Sequence, residues 1–470
     1  MLSMKRKNST PIRRGLIWNS VSNVSRYGLT FVGTMVLARL LSPADFGLIG
    51  IISVFIAVAE VLTDSGLGGA IIKKIGATET DFRTLTTYNI AASVILYLLY
   101  YALAPCVSDW YGELRLTNMI RIYSVVILIH SFAIAPKVLM TKQLRFKALS
   151  LINLASGVLG LAAGVLLAVL GYGVYSLIGQ YIVHSLAYSA LTMAVSRYRI
   201  RLGFSRASFV EQFEFGMNST AANILNSISG NILGNFISKT SGIILNGYYT
   251  QSNRLLHAPQ NFILNLIDST LFPVLSQIGD RKAFSERIRK INGKTRLIIV
   301  ILFGAGFTCC KELIYVLLGE KWMEAEWTFR ILFVAAAFIC LGNVERNVLK
   351  CLGYTRTILI CEVLFFLSIL VSLLAGWLTG GYETILYGYL ASCILKCFIL
   401  HWMSGRHIGP GLAGQFRMIF EVLLPFALLA ALLLHFEPSG IYILDGLLKI
   451  SAYGALSLLY IWINRQVTRK

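Results

Sequence analysis

Charge is what this sequence most lacks. Of 470 residues only 14% are Asp, Glu, Lys or Arg, against roughly 25% in an average soluble domain. A water-soluble chain of this length would divide into several domains, each with a polar surface. There are too few charges here to cover them. Acidic residues are the scarcer sign, 22 against 42 Lys and Arg. The eight cysteines include no C-x-x-C pair and the six histidines no H-x-x-x-H pair. Neither a disulfide framework nor a metal site is therefore expected, and the cysteines read as small buried hydrophobes. No Walker motif is present for ATP hydrolysis, and no cofactor is expected. No basic stripe is interleaved with aromatics, so no nucleic-acid partner is expected either.

What is present is apolar. Hydrophobic residues make up 56% of the chain and the mean hydropathy is +0.70. A helix needs about 20 residues to cross the hydrocarbon layer. On that ruler about fourteen spans are expected, near 15–38, 46–70, 86–107, 117–138, 149–170, 173–195, 213–237, 241–263, 294–318, 326–349, 357–379, 382–403, 416–436 and 440–463. Helices satisfy their own backbone in lipid, so the fold class is an all-α polytopic membrane protein. The N-terminus is basic but has no small-residue cleavage site, so the first span is expected to remain.

The formal charge of +20 is explained by its placement. Basic residues cluster at the two termini and in alternate connections: Lys73, Lys74 and Arg83; Lys137 to Lys147; Arg197 to Arg206; and Arg281 to Arg296. The intervening connections, such as 42–45, 171–173, 379–383 and 436–442, carry almost none. By the positive-inside rule, both termini are expected in the cytoplasm. The clusters at 137–147 and 281–296 would also attract anionic lipid head groups.

A faint internal repeat relates residues 15–50 to 216–249. Each copy has a polar-flecked helix, a very short external loop and a glycine-containing start to the next helix. Two six-helix lobes, residues 1–200 and 201–405, with two further helices in 406–470, fit the count. Transporters are often built from such repeats, with substrate sites at the repeat interface.

Four stretches carry a family resemblance: LARLLSPADFGLIGI at 37–51, DSGLGGAIIKK at 64–74, PKVLMTKQLRFKALSLINLAS at 136–156 and LFPVLSQIGD at 271–280. In these the sequence resembles the polysaccharide-transporter branch of the multidrug/oligosaccharidyl-lipid/polysaccharide flippase superfamily, particularly its colanic-acid-exporter-like members. The resemblance implies a two-lobed bacterial inner-membrane protein with a central cavity. It also implies passage of an undecaprenyl-pyrophosphate-linked oligosaccharide to the periplasmic leaflet. Membrane lipids and other polysaccharide-assembly proteins are the remaining partners it implies. Members often carry charges midway along span 7, whereas SISGNILGNFIS at 227–238 offers Ser, Asn and Gly.

Ionisable groups within a span are costly and usually face a cavity or a partner. In span 1, Asn19, Asn23, Arg26, Thr30 and Thr34 share one helical face. A guanidinium can bind phosphate through its planar fork, so Arg26 is a candidate contact to the pyrophosphate; pairing with Glu60 or Asp64 is its structural alternative. Arg254 is the counterpart in span 8, with Asn246, Tyr249, Thr250, Asn253 and His257 on the same or the adjacent face. Pro259 is expected to break or kink that helix. Span 7 carries Asn218, Asn223, Asn226, Asn231 and Asn235. Most of these amides are read as helix-to-helix glue, with Asn223 and Asn226 as sugar contacts. Glu60 and Asp64 are candidates for ion coupling, and Glu345, Arg346 and Glu362 complete the expected intramembrane charges. The glycines after Asp64 permit close packing or bending.

The function expected is a flippase working by alternating access through a cationic cavity, with no bond made or broken. A multidrug/cation antiporter of the same superfamily is the alternative, and would favour acidic cavity groups. A membrane polysaccharide polymerase or ligase would need a large external loop, and the segments near 107–116 and 317–327 are short connectors.

Overall fold

The computed structural model describes residues 28–64, 66–275, 301–408 and 442–467, with a few isolated positions between 287 and 299. Among the described residues all regular structure is helical and there is no strand. Long apolar runs dictate this, because a helix closes its own backbone hydrogen bonds where no water can. Span 13 (416–436) and the first twelve residues or so of span 1 lie outside the described residues.

The helices follow the expected spans with sharper limits. They are α1 (Gly28–Leu40), α2 (Pro43–Asp64), α3 (Leu67–Lys73), α4 (Glu79–Tyr111), α5 (Arg115–Tyr123), α6 (Val125–Lys142), α7 (Phe146–Val169) and α8 (Tyr175–Ser196). Then come α9 (Arg206–Thr240), α10 (Ile243–Leu275), α11 (Cys310–Leu317), α12 (Glu326–Cys351), α13 (Thr355–Thr379), α14 (Tyr382–Ile408) and α15 (Tyr442–Val467). A 3₁₀ turn, Glu320–Ala325, leads into α12. Seven membrane-crossing candidates, long and apolar enough, are found among the described residues. Outward faces remain apolar: Leu359, Val363, Leu367, Val371, Leu374 and Leu378 form an exposed stripe along α13 at three- and four-residue spacing. Such a stripe suits acyl chains, not water.

Two expectations about helix continuity resolve differently. The run 46–70 is divided after Asp64, where Gly66 takes a left-handed φ of 66° and α3 starts afresh. A Cβ at Gly66 would fall 2.8 Å from the backbone of Gly216 in α9, so the glycine is required both by conformation and by close approach. By contrast α10 runs through Pro259, so no helix break occurs there. Pro105 and Pro136 are likewise internal to α4 and α6, as membrane helices tolerate.

The chain divides into two compact units, Met1–Gly247 and Tyr248–Lys470. In the first, Leu67, Ile71, Leu85, Ile134 and Val138 knit α3, α4 and α6 into one apolar core. In the second, Leu349, Cys361 and Leu400 join α12, α13 and α14. All eight cysteines are free thiols; six are buried as expected, Cys351 is half-buried and Cys106 is exposed.

The repeat is visible in the first unit. Two residues link α1 to α2, and two link α9 to α10. These two tips pack against each other: Asn246 Nδ2 donates to the Gly47 carbonyl at 2.9 Å, and the Gly247 position abuts the Pro43 carbonyl.

Candidate functional site

A polar cleft runs inside the first unit between α2, α6 and α8. On α2, Ser53, Ala57, Glu60 and Asp64 recur at intervals of three and four residues and so face one way. On α6, Val126, His130, Ile134, Lys137 and Thr141 do the same. The two stripes enclose adjoining cavities of ≈ 300 Å³ and ≈ 270 Å³, both lined by Glu60 and His130. Asp64 and Lys137 line the first; Tyr181, His184 and Ser185 of α8 line the second. His130 and His184 each stack on Tyr188, with centroids 6.3 and 6.2 Å away. Among the described residues neither carboxylate makes a hydrogen bond or an ion pair, and the buried Ser185 hydroxyl has no partner.

This lining is amphoteric. Two carboxylates can take up protons or a cation, while the Lys137 ammonium offsets part of their charge and can meet an anion. Hydroxyl and imidazole groups add donors and acceptors of the kind that sugar hydroxyls match.

A second cluster ties the beginnings of α4 and α9 to the end of α3. Thr78 and Asp81 form a capping box at the start of α4. The buried Asp81 carboxylate also accepts from Ser208 Oγ at 2.5 Å and from Lys74 Nζ at 3.1 Å. Lys74 reaches Glu211 at 2.7 Å. Its hydrogen bonds to Glu211 and then Asp81 raise the ammonium above the ordinary lysine value, so the bridge stays charged throughout the neutral range. Lys142 Nζ donates to the carbonyls of Ile71 and Lys74, which closes the end of α3. At the other end of α9, Tyr111 donates to Asn235 at 3.3 Å and Lys239 to the Trp110 carbonyl. The helix that begins the second repeat copy is therefore held to the first unit at both ends.

The expected site residues fall in several places. Asn19, Asn23 and Arg26 lie outside the described residues; Thr34, from the same polar face, is buried while Thr30 is exposed. Asn223 and Asn226 are in the body of α9, with side chains outside the described ones. Asn231 and Asn235 bond within α9 or to Tyr111, which is the structural use expected of most amides there. On α10, Tyr249 is buried and Asn253 and Arg254 are half-buried. Asn246 is spent on the Gly47 carbonyl. Glu60 and Asp64 come together in the cleft.

Several charged groups were missed. Lys449 of α15 pairs with Glu312 of α11 at 2.6 Å, both side chains below 5% exposed. Lys396 pairs with Glu362 at 2.8 Å. A lysine in the middle of an apolar run is itself a signal, because it needs a partner. His130, His184 and His401 carried no such signal, since neutral imidazole passes for an ordinary core group.

A family model described as polysaccharide biosynthesis protein matches residues 36–326. The chain belongs to that family. Among its relatives is the succinoglycan biosynthesis transport protein ExoT of Rhizobium meliloti, 26% identical over 68% of this chain and 65% of that protein. The lipopolysaccharide biosynthesis protein WzxC of Escherichia coli is 24% identical over 88% of this chain and 84% of its own length. In fold the chain resembles lipid II flippase MurJ in an inward closed conformation, with a TM-score of 0.78, 14% identity, and 97% of this chain and 100% of that one covered. These findings bear out the polysaccharide-transporter branch read from residues 37–280 and the all-α, polytopic fold class. The chain is therefore a multi-pass membrane protein of the polysaccharide biosynthesis family.

Proposed function

We propose that this protein is a flippase that moves a polyprenyl-pyrophosphate-linked oligosaccharide from the cytoplasmic to the periplasmic leaflet of a bacterial inner membrane. Undecaprenyl pyrophosphate is the carrier proposed, surface polysaccharide export the purpose, and alternating access the mode. The observation that carries the reading is the cleft on α2 and α6: charged and hydroxyl groups enclosed by long apolar helices, in a chain of the polysaccharide biosynthesis family. A glycan needs such a lining, while its polyprenyl tail is at home in lipid.

Arg26 and Arg254 are assigned to the pyrophosphate, since guanidinium lowers the cost of holding phosphate away from water. Asn19, Asn23, Asn223, Asn226, Tyr249 and Asn253 are assigned to the sugars. Glu60 and Asp64 are assigned to the coupling ion, with release of that ion freeing the cleft for cargo. The basic clusters support cytoplasmic placement of both termini.

The test is reconstitution in liposomes with a fluorescent undecaprenyl-pyrophosphate oligosaccharide, reading how much becomes accessible to an outside glycosidase. Faster exposure than in empty liposomes, lost in Arg26→Ala and Arg254→Ala at equal protein level, is expected. Equal rates with and without the protein would sink the proposal.

The carboxylate pair favours one second reading, a cation antiporter. Uptake of a cationic dye into inverted vesicles, driven by a proton or sodium gradient and lost in Glu60→Gln, would establish it instead.

A further inference from the structure

Of the two cavities in the cleft, the one bounded by α8 holds more hydrogen-bonding groups than ion coupling needs. Ser53 and Glu60 of α2, His130 of α6, and Tyr181, His184 and Ser185 of α8 line it. Ser53 stands ten residues after Pro43, the first of α2, and Ser185 ten after Tyr175, the first of α8. Both hydroxyls therefore lie about 15 Å along their helices, half of the ~30 Å that the hydrocarbon layer spans. Substrate sites of transporters gather at that depth.

The α8 wall is held in place from behind. A Cβ at Gly160 of α7 would fall 2.8 Å from the His184 Cβ and 2.9 Å from the Gln180 carbonyl oxygen, so α8 lies directly on the backbone of α7. Ser189 Oγ donates to the Ile129 carbonyl of α6 at 2.8 Å, which fixes α8 beside His130. Ser185 is one turn earlier on the same face. It is 3% exposed, and its hydroxyl has no partner among the described residues. A buried hydroxyl without a hydrogen bond is costly, so one that borders a cavity is made good by what occupies it. Tyr123 and Tyr181, paired with centroids 5.3 Å apart, add an aromatic wall.

Size, sign and bonding set what fits. At ≈ 270 Å³ the cavity is near the lower end of small-molecule pockets, about 300–1,000 Å³, which is room for one sugar ring and not for a chain of them. Glu60 lines both cavities but Lys137 only the other, so the charge facing this one disfavours an anion. Sugar hydroxyls donate to a carboxylate or a bare imidazole nitrogen, and accept from serine or from imidazole N–H. The C–H face of a sugar meets the negative face of an aromatic ring.

We propose that this cavity is a specificity subsite that holds one neutral sugar ring of the cargo. Ser185 and His184 bond its hydroxyls, and Glu60, once the coupling ion has left it, accepts from them and turns acidic sugars away. Gly160 is a positioning residue, since it lets α8 lie where His184 and Ser185 reach the ring. The inference rests on the flippase reading, which supplies the sugar.

The test is saturation-transfer NMR of the full-length protein in nanodiscs of zwitterionic lipid, with empty nanodiscs as the blank. The probes are methyl glucoside, methyl galactoside, methyl N-acetylglucosaminide and methyl glucuronide. Binding of at least one neutral glycoside is expected, weakened roughly fivefold in Ser185→Ala by loss of one hydrogen bond. Ser176→Ala removes another buried, unpartnered hydroxyl of α8 that lines neither cavity, and is expected to leave binding unchanged. Methyl glucuronide is expected to stay at the blank and to rise above it in Glu60→Gln. No binding of any neutral glycoside, equal binding in Ser185→Ala and Ser176→Ala, or glucuronide bound as well as the neutral probes would overturn the subsite. Exposure of the lipid-linked oligosaccharide in liposomes, scored separately, keeps the two readings apart. Exposure without glycoside binding removes the subsite alone, and glycoside binding without exposure removes the flippase alone.

Discussion

Gly47 and Gly247 take reciprocal parts at one helix crossing: Gly47 sits against the carbonyl of Ile243, and Gly247 against the carbonyl of Pro43. Residues 43 and 243, like 47 and 247, stand 200 positions apart, the offset of the internal repeat. Each copy thus offers the same glycine to the same carbonyl of the other, the pattern of a self-complementary contact about a two-fold axis. At both positions a Cβ would overlap backbone, which cannot swing away as a side chain can.

Gly47→Val and Gly247→Val are therefore each expected to destabilise the first unit by about 1–3 kcal/mol, the usual range for overpacking. Gly230→Ala is the control, since nothing lies within 4 Å of a Cβ there and alanine favours a helix by about 0.5–1 kcal/mol. Thermal unfolding in detergent is the measurement, and equal melting of all three variants would contradict the crossing.

Asp81 serves two structures at once, as capping partner of Thr78 and as acceptor for Ser208 and Lys74. Its replacement by Ala is expected to cost about 2 kcal/mol, a cap and a buried hydrogen bond together. Ser208→Ala removes only the second part and is expected to cost about 1 kcal/mol. Hydrogen exchange should then show faster opening at the start of both α4 and α9 in Asp81→Ala, and chiefly of α9 in Ser208→Ala.

For the cleft, Glu60→Gln and Asp64→Asn are each expected to slow cargo exposure on the order of tenfold, equivalent to about 1.4 kcal/mol of coupling. Lys137→Arg is expected to retain more transport than Lys137→Gln. Full transport in the Glu60→Gln, Asp64→Asn double variant, across the pH range, would remove these carboxylates from the mechanism.

Lys449 and Glu312 form a buried pair, and removing one partner strands the other. Lys449→Met is expected to cost about 3–5 kcal/mol, while Lys449→Met with Glu312→Leu recovers most of it. Melting temperatures of the single and double variants decide the point; an additive double variant would show that the pair is not coupled.

Much of the architecture was legible because lipid allows so few alternatives. A run of about 20 apolar residues has to be a helix, which is why α7, α8, α12 and α13 match their spans within a few residues. Break points were less legible. Nothing in the alternation of apolar residues distinguishes Gly66, where one helix ends and another starts, from Pro259, which lies within a continuous helix, because the outcome depends on what packs there. Gly216 closes on Gly66 and requires the turn.

The polar face of α2 could be seen in the order of residues, since Glu60 and Asp64 are one turn apart on any helix. Its opposite wall could not. His130, Lys137 and His184 belong to helices 70 and more residues away, and imidazole or lysine gives no sign of its partner until the chain is packed. The same holds for Lys449 with Glu312. Composition and periodicity indicated a helical membrane protein, because those follow from local backbone and solvent physics. Which charges meet, and therefore where an ion or a cargo can rest, is a matter of distances between remote segments, and only tertiary packing decides them.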